Sequence, residues 1–234
     1  MPKPGTLYLI PTILAEETAR EVLAPQVQEV CSRLNYYLTE NIRTSRRFLS
    51  SLNLGLVIED LKFEELSKKT PDAALNKLLQ PLYEGQDIGI ISEAGCPAVA
   101  DPGARAVAWA HQHNCKVVPL VGPNSILLAL MGSGLGGQKF QFHGYLPVKR
   151  PDRRKAIQQL EGLSKSGTQL FMETPYRNNQ LLEDLIQTCR PDTKLCIAAN
   201  ITAPNEYIVT KPIAEWRKNL PDFHKQPAIF ALGQ

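Results

Sequence analysis

Short runs of β-branched and aromatic residues alternate along the chain with longer segments whose apolar positions recur every three or four residues. The first pattern is typical of strands and the second of amphipathic helices. Their alternation predicts an α/β protein with largely parallel or mixed sheets covered by helices. The predicted strands are 6–11, 35–40, 55–60, 87–92, 116–122, 140–147, 168–175, 194–202, 206–212 and 227–233, and the predicted helices are 16–32, 43–52, 71–84, 103–113, 124–132, 150–164, 178–190 and 213–219.

The ten predicted strands indicate two sheets, and 234 residues are enough for two small domains. The turn-forming segment Val121-Gly122-Pro123 is the predicted junction. We therefore place an N-terminal α/β domain at 1–121 and a C-terminal α/β domain at 122–234. The last three predicted strands follow one another closely, which favours an antiparallel part in the second sheet.

Composition excludes several classes of protein. The net charge is +3, so any nucleic-acid-binding surface must be local. The N-terminus lacks a signal-peptide pattern, and no apolar run approaches the roughly 20 residues of a membrane span, which favours a cytoplasmic location. Five scattered cysteines without a Cys-x-x-Cys pair predict reduced thiols and no metal site.

The segment 132–137 matches the dinucleotide-binding pattern G-x-G-x-x-G by letter. That fingerprint has to follow a strand and open a helix. Here an apolar helical segment precedes the glycines and a strand follows them. The glycines are therefore predicted to end a helix and turn the chain.

Ligands of open α/β sheets bind beyond the carboxyl ends of the strands, so the loops that leave strands are the candidate sites. The richest of them is S-E-A-G-C-P-A-V-A-D-P-G at 92–103. Gly95 lacks a Cβ and lets a ligand approach the backbone, and Asp101 is suited to cap the next helix. Taken alone, this loop is equally compatible with a well-capped connection.

Four motifs in order carry a resemblance to a known family: Pro11-Thr12, the 92–103 loop, V-V-P-L-V-G-P-N-S at 117–125 and F-M-E-T-P-Y-R at 171–177. Together they resemble the tetrapyrrole-methylase superfamily of S-adenosylmethionine-dependent methyltransferases. Within it, the chain is most similar to the branch that 2′-O-methylates small-subunit ribosomal RNA. The resemblance spans Gly5 to the final strand and implies the class III methyltransferase fold, with the donor in a cleft between two α/β domains and a homodimer.

The resemblance also implies roles for individual residues. Those expected to bind S-adenosylmethionine are Pro11, Ser92, Glu93, Ala94, Gly95, Ala98, Asn124, Ser125, Met172, Glu173, Thr174 and Asn200. Methyl transfer is an in-line displacement that depends chiefly on positioning. A carboxylate near the acceptor would orient the hydroxyl or take its proton, and the candidates are Glu40, Glu93 and Glu206.

Five departures from the family pattern bear on these roles. The P-I-G-N-L segment of the family is replaced by a shorter 13–16 segment. An amide replaces an acid at Asn41, within T-E-N-I-R, and again at Asn200, within N-I-T. The aspartate of the family's S-D-A-G motif is replaced by Glu93, and the histidine of E-S-P-H-R by Tyr176.

Two clusters of cations are candidates for contact with RNA phosphates. One is Arg43, Arg46 and Arg47, and the other is Lys149, Arg150, Arg153 and Arg154 at the start of a predicted helix. A solvated helix face is the alternative interpretation of each.

The sequence thus predicts a methyltransferase that uses S-adenosylmethionine and modifies a ribose 2′-hydroxyl of small-subunit ribosomal RNA or of the assembled subunit. One alternative is methylation of a small molecule such as a tetrapyrrole. The other is a relative that binds donor or RNA but has lost transfer.

Overall fold

A computed structural model describes residues 3–234, and residues 1 and 2 of the predicted first domain lie outside the described part. The chain divides into two compact units, the first ending at Pro123 and the second running from Asn124 to Gln234. The boundary predicted from sequence, after Val121, lies close to this division.

The first domain is a five-stranded parallel sheet with helices between the strands, as the alternating pattern predicts. The strand order is β3-β2-β4-β1-β5. The strands are Thr6–Ile10 (β1), Tyr36–Thr39 (β2), Lys62–Glu65 (β3), Ile88–Ile91 (β4) and Lys116–Pro119 (β5); the helices are Ala19–Val22 (α1), Pro25–Arg33 (α2), Ile42–Ser51 (α3), Asp72–Tyr83 (α4) and Gly103–Gln112 (α5).

Alternate residues of β1 belong to two separate hydrophobic cores. Leu7 and Leu9 join side chains of α4 and α5 in one core, whereas Tyr8 and Ile10 join side chains of α2 and α3 in the other. Successive strand residues point to opposite faces, so a strand buried on both faces is apolar throughout. The helices therefore cover both faces of this sheet.

One strand of the first domain is predicted wrongly. The 55–60 segment forms no strand: Gly55 has a left-handed backbone (φ +71°), and Ile58–Asp60 is a 3₁₀ turn. The strand is instead β3, which follows it and pairs with β2 at the sheet edge. Its sequence KFEE is largely charged, as is common for edge strands, and so lacks the apolar signal of a buried strand.

The single helix predicted at 16–32 is also wrong. The structure has two helices, α1 and α2, separated by an extended Leu23 and Ala24 (ψ 132° and 146°). Pro25 is the first residue of α2, and the residue before a proline is sterically driven out of the helical region. The proline therefore starts the second helix and ends the first.

The second domain has a mixed five-stranded sheet in the order β6-β7-β10-β8-β9. Only its β6–β7 pair is parallel among the described pairings; the other neighbours are antiparallel, which confirms the predicted antiparallel part. The strands are Phe140–Tyr145 (β6), Thr168–Met172 (β7), Lys194–Ala199 (β8), Tyr207–Pro212 (β9) and Ala228–Gly233 (β10); the helices are Ser125–Ser133 (α6), Arg150–Leu163 (α7), Asn178–Thr188 (α8) and Ile213–Trp216 (α9).

The glycines at 132–137 end a helix, as predicted. Gly134 is the C-cap of α6 and has the left-handed backbone (φ +66°) that glycine adopts at this position. Gly132 also lets the helix approach β9, because a Cβ there would lie 2.9 Å from Ile208 Cγ2.

Candidate active site

The carboxyl ends of β1 and β4 carry two loops that hydrogen-bond to each other. The backbone N–H of Thr12 donates to the Gly95 carbonyl at 2.9 Å. Ser92 Oγ donates to the same carbonyl at 3.1 Å, and Thr12 Oγ1 donates to the Ser92 carbonyl at 3.4 Å. Thr12 and Ser92 are both buried. These bonds fix the 92–103 loop against the loop after β1, and Thr12 is a positioning residue that the sequence prediction missed.

Gly122 is required where the chain passes Pro11. A Cβ at Gly122 would lie 2.3 Å from both Cβ and Cγ of Pro11, closer than any real contact. Cys96 Sγ lies 3.3 Å from the Pro123 carbonyl, so the 92–103 loop contacts the same segment. Three strand exits of this sheet therefore meet, and Gly122 of the 117–125 motif has a steric explanation.

The 92–103 loop has an unusual backbone. Gly95, Ala98 and Ala100 all have left-handed φ angles, of 73°, 66° and 66°. This conformation is unfavourable for alanine and is found where the surrounding structure enforces it, often at ligand sites. Here Asp101 enforces it, because its Oδ1 accepts from the backbone N–H groups of Ala98 and Gly103, each at 2.7 Å.

Two of the three candidate catalytic acids lie together at this edge of the sheet. Glu40 Oε2 accepts from the backbone N–H of Glu93 at 3.3 Å. Partial burial raises the pKa of the Glu40 carboxyl, and the nearby charges of Asp101 and Glu93 raise it further, although the Glu93 N–H and Lys68 oppose the change. A carboxyl whose pKa is raised is better suited to accept a proton.

Asp101 shares this environment. Burial raises its pKa, against the opposing effect of its two backbone hydrogen bonds. Among the described residues, neither Asp101 Oδ2 nor the buried Thr39 Oγ1 has a hydrogen-bond partner. Both residues line the narrow crevice that also contains Glu40 and Ser92. This corner of the sheet therefore has hydrogen-bonding capacity that the protein itself does not fill.

A larger cavity of about 530 Å³ lies on the other side of Ser92 and Glu93. Its walls are the loop after β1, helix α3 and the first residues after β4. The lining is mixed: apolar side chains, five hydroxyl-bearing residues, two arginines and three glutamates. The residues that line it include Ile13, Leu14, Phe48, Thr44, Ser51, Arg20, Arg47, Glu16, Glu17 and Glu93.

In the second domain, Glu173 follows β7 and is held by Arg177. Glu173 Oε1 accepts from Arg177 Nη2 at 2.6 Å and from the N–H of Thr174 at 2.7 Å. The hydrogen bond to Glu173 raises the pKa of the Arg177 guanidinium. Glu173 Oε2, Arg177 Nε and Asn178 Oδ1 are buried and have no partner among the described residues. The sequence prediction does not include Arg177, which is the last residue of the 171–177 motif, or Asn178, which follows it.

The two amides that replace family acids have local structural roles. Asn41 is the N-cap of α3, and its side chain accepts from the N–H groups of Arg43 and Thr44. Asparagine and aspartate cap equally well, so this replacement preserves the helix start. Asn200 has a left-handed backbone (φ 50°), which asparagine tolerates better than most residues, and its Nδ2 donates to Gln226 Oε1 at 2.7 Å.

The remaining predicted residues of the second domain lie at its loops. Asn124 is the N-cap of α6 and accepts from the N–H groups of Ile126 and Leu127, while Ser125 begins that helix. Met172 ends β7. Glu206, the third candidate acid, accepts from the Thr202 N–H at 2.8 Å and holds the turn before β9. This contact gives Glu206 a structural role within its own domain.

The second basic cluster requires a correction. Arg153 is 3% exposed, and it donates from Nε and Nη2 to Oδ2 of the fully buried Asp184, at 2.9 and 2.7 Å. It is therefore a core residue and is not available to RNA. Arg150 and Arg154 also donate to Asp184, at 2.7 and 3.0 Å, but remain partly exposed. Arg150 also pairs with Glu183 at 3.7 Å, so the exposed cations of this cluster are Lys149 and the partly exposed Arg150 and Arg154.

The described residues contain no group of three or more His, Cys, Asp or Glu side chains placed to hold a metal ion. Within residues 3–234, no helix is long and apolar enough to cross a membrane.

Solved structures with a similar fold are methyltransferases. The uroporphyrin III C-methyltransferase of Thermus thermophilus covers 98% of this chain at 17% identity and a TM-score of 0.56, with 98% of that chain aligned. The methyltransferase CobJ covers 100% at 16% identity and a TM-score of 0.64, with 95% of its own chain aligned. At these identities, the likeness establishes the two-domain α/β fold of this class.

Sequence relatives narrow the class to a family. Residues 17–216 match the family described as Tetrapyrrole (Corrin/Porphyrin) Methylases. The chain belongs to this family, which confirms the resemblance found in the motifs.

Curated relatives carry the name ribosomal RNA small subunit methyltransferase I. The protein from Micromonospora olivasterospora is 33% identical over 86% of this chain, and that from Buchnera aphidicola subsp. Schizaphis graminum is 32% identical over 98%. The Escherichia coli O157:H7 protein is 29% identical over 90%. The chain spans 61%, 78% and 70% of the lengths of these three relatives.

Proposed function

We propose that this chain is an S-adenosylmethionine-dependent methyltransferase that modifies a ribose 2′-hydroxyl of small-subunit ribosomal RNA. The observation that carries the proposal is identity above 30% with proteins named ribosomal RNA small subunit methyltransferase I over 86–98% of the chain. Methylation of a small tetrapyrrole is not favoured, because the curated relatives at this level of identity carry the ribosomal RNA name.

In the first domain, the backbone of the 92–103 loop is the proposed donor-binding element. S-adenosylmethionine, when bound, supplies an electrophilic methyl group on a sulfonium. The residues assigned to it here are Pro11, Ser92, Glu93, Ala94, Gly95 and Ala98. The hydrogen bonds of Thr12 and Asp101 fix this backbone in one conformation. An in-line displacement needs a donor site that is preorganised in this way.

In the second domain, the donor-binding assignments are Asn124, Ser125, Met172, Glu173, Thr174 and Asn200. The donor carries an ammonium, a carboxylate and an adenine, and so needs both hydrogen-bond donors and acceptors. The buried atoms without protein partners, Glu173 Oε2 and Asn178 Oδ1 as acceptors and Arg177 Nε as donor, are compatible with such a ligand. We assign Glu173 and Arg177 to it jointly.

Glu40 is the proposed acceptor of the hydroxyl proton. Its carboxyl is partly buried beside Glu93 and Asp101, and its pKa is raised. Glu93 positions Glu40 through its backbone N–H. Glu206 is not assigned to this step; it holds the turn before β9 through the Thr202 N–H.

RNA phosphates are proposed to contact Arg43, Arg46 and Arg47 on α3, together with Lys149, Arg150 and Arg154 at the start of α7. Asp184 pairs with Arg150 and Arg154 and compensates part of the positive charge at this helix start; the exposed parts of these cations, with Lys149, carry the proposed attraction to phosphate. The expected setting is the cytoplasm, where ribosomal subunits assemble, and the expected form is a homodimer, which light scattering would establish.

Calorimetric titration with S-adenosylmethionine tests the donor half of the proposal. Saturable binding by the native protein is expected. A Glu173→Gln variant should bind more weakly, whereas Glu59→Gln, which changes an exposed acid in a surface turn, should bind as the native protein does. Absence of binding at millimolar donor would refute the assignment.

A further inference from the structure

Two exposed tyrosines of the second domain lie at the same edge of its sheet. Tyr145 is the last residue of β6 and is 58% exposed, whereas Tyr176 lies in the turn after β7 and is 68% exposed. The two strands are parallel neighbours, and Tyr145 is in register with Met172, the last residue of β7. Both tyrosines are therefore at the carboxyl ends of adjacent strands.

Arg177 places the two tyrosines on one surface. It follows Tyr176 in the chain, and its side chain is partly exposed. The hydrogen bond to Glu173 is the main cause of the raised pKa of Arg177, and the nearby phenol of Tyr145 raises that pKa further. A single exposed aromatic residue needs no explanation, but neighbouring exposed rings are typical of an interaction site.

The turn that carries Tyr176 is fixed by the segment 222–226. The backbone N–H of Lys225 donates to the Pro175 carbonyl at 2.9 Å. The rings of Tyr176 and His224 meet edge-on, with their centroids 6.0 Å apart and their planes at 72°. These contacts restrict the tyrosine while most of its side chain stays exposed. A ring that is ordered before binding loses less conformational entropy when a ligand stacks on it.

Exposed lysines flank the two tyrosines. The loop after β6 ends at Lys149, which precedes α7, and Lys225 belongs to the segment 222–226. The buried Arg153 holds this loop, because its Nη1 donates to the Val148 carbonyl at 2.9 Å. Neither lysine takes part in an ion pair within residues 3–234. Both charges are therefore available to phosphates.

Exposed rings flanked by cations are the features of a surface that binds single-stranded nucleic acid. Bases stack on aromatic side chains whatever their sequence, and cations follow the phosphate backbone. The bases of a duplex are already stacked on one another, so such rings select unpaired nucleotides. The tyrosines of β2 cannot serve in this way, because Tyr36 and Tyr37 are 1% and 0% exposed.

We propose that Tyr145 and Tyr176 stack unpaired bases of the ribosomal RNA. Lys149 and Lys225 bind the neighbouring phosphates. The inference rests on the proposed function and adds to it the residues that hold RNA on the second domain. Because stacking tolerates every base, this surface contributes affinity for single-stranded RNA and does not choose the target nucleotide.

The test is binding of a fluorescent oligouridylate of about 12 nucleotides to the whole protein, followed by anisotropy. Tyr176→Ala and Tyr176→Leu should each weaken binding about ten-fold, since neither keeps a ring on which a base stacks. Tyr176→Phe should bind as the native protein does. No binding by the native protein at about 50 mM salt, or native affinity in Tyr176→Leu, would overturn the inference.

Tyr83→Ala is the matched control. Tyr83 ends α4 in the first domain, is 41% exposed and also meets a histidine edge-on, with its centroid 6.1 Å from that of His113. Its loss should leave the affinity for oligouridylate unchanged. Equal losses in Tyr83→Ala and Tyr176→Ala would contradict the assignment.

The dependence of binding on salt separates the rings from the lysines. Tyr176→Ala should leave the slope of log affinity against log salt unchanged, because it removes no contact with phosphate. Lys149→Ala should reduce that slope by about 0.7. An equal change of slope in both variants would show that the tyrosine acts through the cations and would overturn the stacking role.

Titration with S-adenosylmethionine and light scattering separate this inference from the proposed function. Native protein and Tyr176→Ala should bind the donor equally and have the same mass in solution. Weaker donor binding in Tyr176→Ala would assign the tyrosine to the donor, and a changed mass would make the surface an interface between copies of the chain. Either result would overturn the inference and leave the proposed function standing. Failure of the native protein to bind donor would refute the proposed function, whatever the oligonucleotide result.

Discussion

Arg153 and Asp184 form a buried ion pair in which Nε and Nη2 of the arginine both donate to one carboxylate oxygen, at 2.9 and 2.7 Å. Neither side chain is more than 3% exposed. The other carboxylate oxygen accepts from Arg150 and Arg154. The pair joins α7 to α8, so the run of cations at 149–154 is anchored from inside the domain.

Removal of Asp184 should destabilise the protein strongly. In Asp184→Ala, the buried Arg153 guanidinium is left without its counter-charge, which costs about 3–5 kcal/mol of unfolding free energy. The control is Asp192→Ala: Asp192 is 81% exposed, and the change should cost less than about 0.5 kcal/mol. Urea unfolding measures both. Similar losses in the two variants would show that the Arg153–Asp184 pair is not the stabilising contact inferred from its burial.

The same pair predicts a dependence of stability on pH. Burial by itself would raise the pKa of Asp184, but the hydrogen bonds from Arg150, Arg153 and Arg154 outweigh it and lower that pKa below its ordinary value. The folded state then binds fewer protons than the unfolded state. The contribution of the Asp184 carboxylate to the free energy of unfolding is therefore complete above the unfolded pKa of about 3.9. It is lost as pH falls through the lower pKa of the folded state. The stability difference between native protein and Asp184→Asn should therefore stay constant above about pH 5 and shrink below about pH 4. If the stability difference between native protein and Asp184→Asn did not change below about pH 4, the lowered pKa of Asp184 would be contradicted.

The pH dependence of methyl transfer should report on Glu40. Because its pKa is raised, the rate should rise with pH through a midpoint above the ordinary glutamate value, and Glu40→Gln should lower kcat and remove that rise. Lys68 lowers this pKa, so Lys68→Met should move the midpoint to higher pH. Lys69→Met, at the neighbouring exposed lysine, provides the control. A midpoint unmoved by Lys68→Met would argue against Glu40 as the group that titrates.

The conformation of the 92–103 loop, and with it the affinity for the donor, should depend on Asp101. Asp101→Ala removes the acceptor of two backbone hydrogen bonds that hold Ala98 and Gly103, and should cost about 1–3 kcal/mol in unfolding free energy. Donor affinity, measured by calorimetry, should fall with it. Asp101→Asn keeps an acceptor oxygen and should lose less of both. Equal effects of alanine and asparagine would show that the two N–H bonds are not what orders the loop.

The sequence predicts the elements whose signal is local. The buried strands β1 and β4 are continuous apolar runs, and Gly134 ends α6 as the glycine pattern indicates. The edge strand β3 is missed because KFEE has charges where buried strands have apolar side chains, and its assignment depends on its pairing with β2.

The candidate site is predicted only in part, because some of its features have a local sequence signal and others depend on contacts between distant residues. The motifs locate the 92–103 loop, because its glycine and prolines are visible in sequence. The burial of Arg153 could not be predicted, since its partner Asp184 is 31 positions away and looks like an ordinary helix acid. The role of Gly122 likewise depends on its contact with Pro11 from another strand exit.

The central claim is methyl transfer to a ribose of small-subunit ribosomal RNA. The most direct measurement incubates the protein and S-adenosylmethionine carrying a labelled methyl group with small ribosomal subunits from a strain that lacks the gene, and then maps 2′-O-methylated nucleotides by mass spectrometry. The account predicts label at one ribose of the small-subunit RNA, absent before incubation and strongly reduced with Glu40→Gln. Donor binding without label in the assembled subunit or its free RNA would contradict the account and identify the chain as a binding relative that has lost transfer.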